Sequence, residues 1–287
     1  YADVNTRLAF APAANYSGTI SDLITFKAWD RNGAANGAGS ITNARSLTGT
    51  YNTSGNAKGV AISADGNTAF VADRTSGLQI IDISNPGSSS LKSTFNTSGM
   101  AYDVVLSPDG NIAYVADYGD GLDIIDVSDL NSPSLYGSYN TSGYAVGITL
   151  SADGNTAFIA DRSAGLQIIN VSDPSDPISR SVYNTSGQAY GVALSTDGNT
   201  AFVGDGSHGL DIINVSDLGN PSLSGNYNTS GSARDVAISA DGNTAFVADD
   251  DGGLQIVNIS NLNSPTLRGS FDTSSYALGL SLSADGD

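Results

Sequence analysis

The sequence predicts an all-β fold, a β-propeller made of four-stranded antiparallel blades. Three observations support this prediction: a motif set that recurs every 44 residues, an Asp-Gly turn in every repeat, and a composition poor in helix formers. All 29 acidic residues are aspartates, which favour turns and caps, and the chain has no glutamate. The 287 residues also include 34 glycines and 8 prolines, so strands joined by tight turns are expected.

Two short motifs define the repeat. The first is NTSG, which begins at Asn52, Asn96, Asn140, Asn184 and Asn228 and returns as DTSS at Asp272. The second is SxDG, which begins at Ser63, Ser107, Ser151, Ser195, Ser239 and Ser283. Both motifs advance by 44 residues, so we expect five full repeats over residues 52–271 and a partial repeat over 272–287.

Each repeat divides into four strands by residue alternation and turn chemistry. In the first repeat the predicted strands are 57–63, 68–72, 78–83 and 91–95, with Asp65-Gly66 in the hairpin turn between the first two. This arrangement is typical of a propeller blade, whereas a parallel β-solenoid, the alternative, usually has shorter coils. The segment SLTGTY, residues 46–51, matches a fourth strand and predicts six or more blades, in a ring closed by strands from both ends of the chain.

Residues 1–44 lack the repeat. We expect them to be the remnant of a β-sandwich domain with strands at 8–10 and 23–29, and the propeller to occupy residues 45–287. The chain begins without a methionine and stops inside a repeat, so we expect it to be a segment of a longer polypeptide.

Family resemblance rests on two segments. Residues 106–129, LSPDGNIAYVADYGDGLDIIDVSD, and their counterparts resemble the LVIVD-repeat propellers of bacterial and archaeal secreted or surface proteins. Residues 10–37, FAPAANYSGTISDLITFKAWDRNGAANG, are similar to the end of the cadherin-like or Ig-like repeats of giant bacterial surface proteins. Together these resemblances imply an extracellular or cell-surface bacterial protein of the adhesin or matrix type, and they supply no catalytic residue.

The charge balance excludes several function classes. The net charge is −18 with only 11 basic residues, which disfavours binding to nucleic acid and to anionic membranes. No apolar run approaches the roughly 20 residues that span a bilayer, so no membrane insertion is expected. Because the chain has no cysteine, disulfides and thiolate chemistry are excluded as well.

Candidate ligand-binding residues lie in the two loops that differ most between repeats. In an up-and-down blade, the loop between blades and the loop joining the second and third strands lie on the same face. The candidates there are Lys58, Arg74, Met100, Tyr102, Tyr118, Tyr144, Arg162, Tyr190, His208, Arg234 and Tyr276. Tyr, Arg and Met are enriched at binding surfaces, so we expect a protein or glycan partner, although neutral drift of exposed loops would also produce this variation.

Metal binding and catalysis have fewer candidates. Asp249, Asp250 and Asp251 form the densest acidic cluster and could supply the oxygen ligands that calcium prefers. His208 is the only histidine, so no site that needs two histidines can form. Asp103 and Asp235 replace a glycine of the innermost strand and could face the axial channel, where paired carboxylates could serve hydrolysis; packing variation is the alternative explanation.

From these observations we expect a non-enzymatic binding or spacer module with calcium as the only candidate cofactor. Two alternatives remain open. One is a self-assembling structural subunit of a surface layer or filament, and the other is a propeller hydrolase of the lactonase or glycosidase type.

Overall fold

Residues 8–9 and 49–282 are described by a computed structural model of the chain. Their strands form five four-stranded antiparallel sheets, here called blades 1 to 5, and one two-stranded sheet. A single turn of 3-10 helix, Pro86–Ser88, precedes the fourth strand of blade 1. The predicted all-β propeller architecture with one blade per repeat is therefore confirmed.

The strands follow one another in chain order. The two-stranded sheet contains β1 (Leu8–Ala9) and β22 (Ser281–Leu282); blade 1 contains β2 (Gly59–Ile62), β3 (Thr68–Ala72), β4 (Leu78–Asp82) and β5 (Ser90–Phe95); blade 2 contains β6 (Asp103–Leu106), β7 (Ile112–Ala116), β8 (Leu122–Asp126) and β9 (Ser134–Tyr139); blade 3 contains β10 (Gly147–Leu150), β11 (Thr156–Ala160), β12 (Leu166–Asn170) and β13 (Ile178–Tyr183); blade 4 contains β14 (Gly191–Leu194), β15 (Thr200–Gly204), β16 (Leu210–Asn214) and β17 (Ser222–Tyr227); blade 5 contains β18 (Asp235–Ile238), β19 (Thr244–Ala248), β20 (Leu254–Asn258) and β21 (Thr266–Phe271).

Each blade pairs its strands in sequence order, and the innermost strands of neighbouring blades lie side by side. In blade 1, Gly59 pairs with Ala72 and Ile62 with Ala69 across the first hairpin. The pairing of the third and fourth strands shifts register between Ile80 and Ile81, and each of the other blades shifts at the equivalent point. Such irregularities increase the local twist of a sheet.

The core lies between the faces of neighbouring blades. Phe70, Leu78 and Ile80 of blade 1, for example, form one buried cluster with Val104 and Ile125 of blade 2. The second and third strands have a neighbour on both faces, which explains why they are continuous apolar runs such as TAFVA. The fourth strands are more exposed and correspondingly polar.

The N-terminal strand differs from its predicted setting. β1 pairs antiparallel with β22, matching Leu8 to Leu282 and Ala9 to Ser281. It thus occupies, beside the innermost strand of the sixth unit, the position that the second strand takes in each complete blade. The predicted sandwich strand at 8–10 is therefore, over Leu8–Ala9, a partner of the propeller. The rest of the predicted β-sandwich remnant, including 23–29, lies outside the described residues.

The proposed closing segment 46–51 is described only over residues 49–51, which form no strand. The domain boundary at residue 44 stays a prediction for the same reason. The described residues include no helix with the length and apolarity that crossing a membrane requires.

Candidate functional site

The innermost strands of blades 2 to 5 line a cavity of about 770 Å³, here called the central cavity. Its lining comes from β10 and β14, from the hairpin turns that follow these strands, and from Asp103 and Asp235. These two aspartates start the innermost strands of blades 2 and 5, whereas Gly59, Gly147 and Gly191 start those of blades 1, 3 and 4. The sequence-based prediction that both carboxylates face the axial channel is consistent with this lining.

Each channel carboxylate joins three consecutive innermost strands. Asp103 Oδ1 accepts the N–H of Val104 at 2.9 Å, and Oδ2 accepts the N–H of Ile148 in the next blade at 3.0 Å. On the other side the carboxylate lies over Gly59 of the preceding blade, where an added Cβ would stand 2.4 Å from Oδ1. A glycine at position 59 is therefore required for Asp103 to adopt this position.

Asp235 repeats this geometry three repeats later. Its Oδ1 accepts the N–H of Val236 at 2.9 Å and its Oδ2 accepts the N–H of Leu280 at 3.0 Å. A Cβ added at Gly191 would stand 2.8 Å from Asp235 Oδ1. The same local arrangement thus occurs twice around one cavity, which is unlike a chance packing variation.

Both carboxyl groups resist ionisation. Removal from water raises the pKa of Asp103 to about 7, although its hydrogen bond from Ile148 favours the charged form, and repulsion from Asp235 adds to the increase. Removal from water also raises the pKa of Asp235, against the two backbone hydrogen bonds. Near neutral pH the pair therefore retains a proton that ordinary aspartates would have lost.

A second set of aspartates is buried and has a structural role that the sequence analysis did not predict. The set ends the second strand of each blade and consists of Asp73, Asp117, Asp161, Asp205 and Asp249, all fully buried. In blade 3, Asp161 accepts the hydroxyl of Thr141 at 2.8 Å and the N–H of Gly143 at 2.9 Å. These aspartates fix the NTSG loop of their own repeat, and their identity in all five repeats was the available signal.

The two variable loops do lie on one face, as predicted. The residue after each buried aspartate pairs with the constant alanine that enters the next repeat; Arg74 N–H, for example, donates to the Ala101 carbonyl at 2.9 Å and Ala101 N–H donates back at 3.1 Å. Five such bridges link successive repeats: Arg74 with Ala101, Tyr118 with Ala145, Arg162 with Ala189, Gly206 with Ala233, and Asp250 with Ala277. Every first member has a left-handed backbone with φ between 49° and 57°.

A left-handed backbone favours glycine, yet among these five positions only Gly206 is a glycine. The other four positions keep a strained backbone and thereby present side chains from the loop face. At Gly206 the missing side chain coincides with a shallow pocket of about 360 Å³ beside Tyr190 and Gln188.

Most of the predicted ligand-binding residues form one continuous row on this face. We call this row the rim belt; its members are Arg74, Tyr102, Tyr118, Tyr144, Arg162, Tyr190, Arg234 and Asp250.

Stacked tyrosine rings and cation–π contacts with arginine guanidinium groups hold the rim belt together. The ring centroids of Tyr102 and Tyr118 are 5.0 Å apart, and those of Tyr118 and Tyr144 are 4.4 Å apart. Arg162 lies over Tyr118 and Tyr190 at 5.7 and 5.2 Å, and donates to the Tyr118 hydroxyl at 3.3 Å. Because Tyr102 directly precedes Asp103 and Arg234 precedes Asp235, the belt lies at the same end of the innermost strands as the channel pair.

The remaining predicted residues lie beside the belt or outside it. Arg74 Nη2 contacts Met100 Sδ at 3.5 Å, so Met100 supports the end of the belt. Lys58 is exposed, and Tyr276 is exposed over 69% of its surface. A protein or glycan partner for this face stays a prediction.

The three consecutive aspartates of blade 5 point to different partners. Asp249 is buried and accepts the Thr229 hydroxyl and the Gly231 N–H, while Asp250 forms an ion pair with Arg234 at 2.6 Å. Asp251 is exposed. The predicted calcium site at these residues is untested, and two of its three carboxylates already have partners of their own.

His208 lies instead in a cluster that sequence reasoning did not assemble. Its Nδ1 is 3.7 Å from Asp205 Oδ2 and 3.4 Å from Asp211 Oδ1, and both aspartates are buried. Asp205, His208 and Asp211 each offer one possible metal-ligand atom, and these three atoms lie within 4.8 Å of one another. Within the described part of the chain, no other group of three such residues meets this distance.

Comparison with protein families finds the LVIVD repeat in five consecutive copies, at residues 54–97, 98–141, 142–185, 186–229 and 230–273. The resemblance drawn from the sequence is thus confirmed for the propeller, whereas the cadherin-like remnant finds no support. The comparison with curated proteins finds no match.

Many solved structures share the fold. The periplasmic gluconolactonase PpgL of Pseudomonas aeruginosa is 17% identical with a TM-score of 0.66, over 80% of this chain and 73% of that one. A candidate 6-phosphogluconolactonase of Bacteroides fragilis is 16% identical with a TM-score of 0.68, over 77% and 72%. Hydrazine synthase of Kuenenia stuttgartiensis is 18% identical with a TM-score of 0.65, over 80% and 78%.

These neighbours correct our expectation of a non-enzymatic adhesin module. Proteins with this fold include lactonases, which contradicts the prediction that the chain is not an enzyme.

Proposed function

We propose that this chain, which belongs to the LVIVD repeat family, is a propeller hydrolase that opens a lactone in its central cavity. The observation that carries the proposal is the pair of channel carboxylates, Asp103 and Asp235, which share a cavity and retain a proton near neutral pH. Paired titratable groups with perturbed pKa values are typical of acid–base sites.

The chemistry needs one ionised and one protonated carboxyl group. The ionised member accepts a proton from a water molecule, whose oxygen forms a bond to the carbonyl carbon of the lactone. The ring C–O bond then breaks, and the protonated member donates its proton to the departing ring oxygen. One water is consumed, a hydroxy acid is released, and the two carboxyl groups exchange protonation states before proton exchange with solvent restores them.

Several features of the site support this reaction. The cavity, at about 770 Å³, falls in the size range of small-molecule sites. The hydroxyl of Thr149, in the innermost strand of blade 3, could hydrogen-bond to a hydroxylated ring. Each channel aspartate is held by two backbone N–H groups, so the pair is fixed before a substrate binds. Lactonase activity among proteins of similar fold supports a cyclic ester as the substrate.

The test is hydrolysis of gluconolactone, followed by proton release in a weakly buffered solution against the spontaneous rate. We expect Asp103→Gly and Asp235→Gly to lose at least about 100-fold of the enzymatic rate, a typical acid–base contribution. Glycine is the residue at the equivalent position in other repeats, so both variants should fold. The matched control is Asp197→Asn, which also lines the cavity but lies in a hairpin turn at the other end.

No hydrolysis above the spontaneous rate, or an equal loss in the control, would contradict the proposal. A panel of other lactones and simple glycosides then distinguishes two failures. Hydrolysis of another lactone would mean that gluconolactone is the wrong substrate, and hydrolysis of a glycoside would mean that the proposed reaction is wrong. We further propose that the reaction takes place outside the cytoplasm, which is supported by the periplasmic setting of one structural neighbour; fractionation of producing cells checks this.

A further inference from the structure

Two positions in each blade vary together among the five blades. They lie three and six residues after the buried loop-fixing aspartate in the sequence. The pairs are Ser76 with Gln79, Asp120 with Asp123, Ala164 with Gln167, His208 with Asp211, and Gly252 with Gln255. Where the second member is glutamine the first has no ligating side chain, and where the second is aspartate the first is aspartate or histidine.

The glutamines show what the position ordinarily does. Gln79 Nε2 donates to the Ser76 carbonyl at 3.0 Å and Gln167 Nε2 to the Ala164 carbonyl at 3.1 Å, and both side chains are buried. In blades 2 and 4, aspartate replaces this donor and brings a second buried carboxylate close to the first. Burial of two like charges is costly unless a proton or a cation accompanies them.

In blade 4 the arrangement has the dimensions of a metal site. Donor atoms at about 2.0 to 2.2 Å from a tetrahedral zinc ion stand roughly 3.3 to 3.6 Å from one another. The Nδ1 of His208 is 3.4 Å from Asp211 Oδ1 and 3.7 Å from Asp205 Oδ2. Asp205 and Asp211 are 0% and 2% exposed, whereas the His208 side chain is 42% exposed and leaves a path from solvent.

The threonine contact of the first buried aspartate also differs between the blades. In blades 1 and 3 the equivalent Oδ1 accepts a threonine hydroxyl, from Thr53 and Thr141. In blade 4, among the described residues, Asp205 Oδ1 makes no hydrogen bond of normal geometry, and neither does the hydroxyl of Thr185. The same holds for Asp117 Oδ1 and Thr97 in blade 2, the other blade with a second buried aspartate.

We propose that Asp205, His208 and Asp211 bind a divalent transition-metal ion such as Zn²⁺. One imidazole nitrogen with two carboxylates suits zinc or manganese, whereas calcium prefers oxygen ligands alone. Asn226 lies beside the site: its Nδ2 donates to Asp211 Oδ1 at 2.8 Å and to the His208 carbonyl at 2.9 Å, and it stands 3.2 Å from the His208 Nδ1 that the ion would occupy. This amide substitutes for the missing glutamine donor and orients Asp211 toward the histidine.

The site is separate from the lactone-opening pair and needs no assumption about it. The test is isothermal titration of the full chain, freed of metal by a chelator, with Zn²⁺, Mn²⁺ and Ca²⁺ in turn. We expect one equivalent of Zn²⁺ to bind, to raise the melting temperature, and to bind more tightly than Ca²⁺. Bound Co²⁺ should show the absorption bands of nitrogen coordination.

Two variants adopt residues that other blades already use at these positions. His208→Ser matches blade 1, and Asp211→Gln matches blades 1, 3 and 5, so both should fold. Each should weaken Zn²⁺ binding by at least about tenfold, and His208→Ser should abolish the nitrogen bands of Co²⁺. The triple variant Ala164→His/Gln167→Asp/Val182→Asn builds the same group beside Asp161 in blade 3, where Gln167 pairs with Val182 as Asp211 pairs with Asn226, and it should bind a second equivalent.

Absence of Zn²⁺ binding to the unmodified chain would overturn the proposal. An unchanged Zn²⁺ affinity of the His208→Ser variant would also overturn it. Because His208 is partly exposed, this substitution should not disturb folding. Loss of lactone hydrolysis alone, with zinc binding intact, would concern the channel pair and leave this site standing.

Discussion

The pKa of aspartate shifts in opposite directions in two regions of this propeller, the hairpin turns and the central cavity. In the turn of blade 1, Asp65 Oδ1 accepts the Ser63 hydroxyl at 2.5 Å and the Asn67 N–H at 3.0 Å, in full contact with solvent. These hydrogen bonds, the one from Ser63 first, lower the pKa of Asp65. In the cavity, removal from water raises the pKa of Asp103 instead.

The difference shows how a repeat protein separates framework from chemistry. In the five SxDG motifs that the structure describes, the turn aspartates are exposed and have lowered pKa values, so they stay ionised and stabilise the turn. The channel aspartates occur in two repeats only, where they replace glycine, and they keep a proton. A residue that breaks the repeat at a buried position is therefore the better guide to function.

The largest effect should come from the aspartates that fix the loops. Asp161→Ala removes a buried acceptor and leaves the Thr141 hydroxyl and the Gly143 N–H unpaired, so we expect a loss of about 3 kcal/mol in the free energy of unfolding. Asp153→Ala, in the exposed turn of the same blade, should lose roughly 1 kcal/mol. Urea unfolding followed by circular dichroism compares the two, and equal losses would show that burial of the carboxylate does not matter.

A second contrast concerns pH. Because the folded-state pKa of Asp103 lies above its unfolded value, its contribution to stability is fully present below about pH 4 and is lost as the pH rises toward 7. We expect Asp103→Gly to gain stability relative to the unmodified chain as the pH increases from 4 to 7. Thermal melts across this range measure the effect, and parallel curves for the two proteins would contradict the raised pKa.

The turn aspartates should show the opposite sign, since their lowered pKa values stabilise the fold above pH 4 and the benefit is lost on acidification. Asp197→Asn, compared with the unmodified chain in the same melts, supplies that control.

The smallest effect should be at the rim belt. Arg74→Gly relieves a left-handed backbone worth about 1 kcal/mol and removes a contact with the Tyr102 ring of about 0.5 to 1 kcal/mol. We expect the free energy of unfolding to change by less than about 0.5 kcal/mol, as judged by urea unfolding. A loss well above 1 kcal/mol would show that the rim belt contributes to the stability of the fold.

The framework could be predicted because each repeat contains its own turn residues and strand pattern. The strands at 68–72 and 78–83 were placed to within a residue, since apolar runs bounded by Asp-Gly and Asn-Pro leave little choice. The shared face of the variable loops followed from the topology of the blade, and the bridges confirm it.

Long-range proximity could not be predicted from the same patterns. That Asp103 and Asp235 repel one another depends on how far each blade rotates from the last, a quantity absent from local sequence. The pairing of β1 with β22 joins segments far apart in the chain, and neither segment belongs to a complete repeat. The hydrogen bond between Asn226 and Asp211 joins β16 and β17, and it depends on a strand register that the register shift after Ile212 obscures in the sequence.

The alternation behind the loop-fixing aspartates has a consequence for symmetry. Glutamine and aspartate alternate over the five blades with a period of two, whereas the channel aspartates follow a period of three: Gly59, Asp103, Gly147, then Gly191, Asp235, Gly279. A closed ring accommodates a pattern without a mismatch only when its period divides the number of units. Six is the smallest number that both periods divide, so in a ring of six the channel carboxylates would stand opposite one another and each glutamine blade would lie between two aspartate blades.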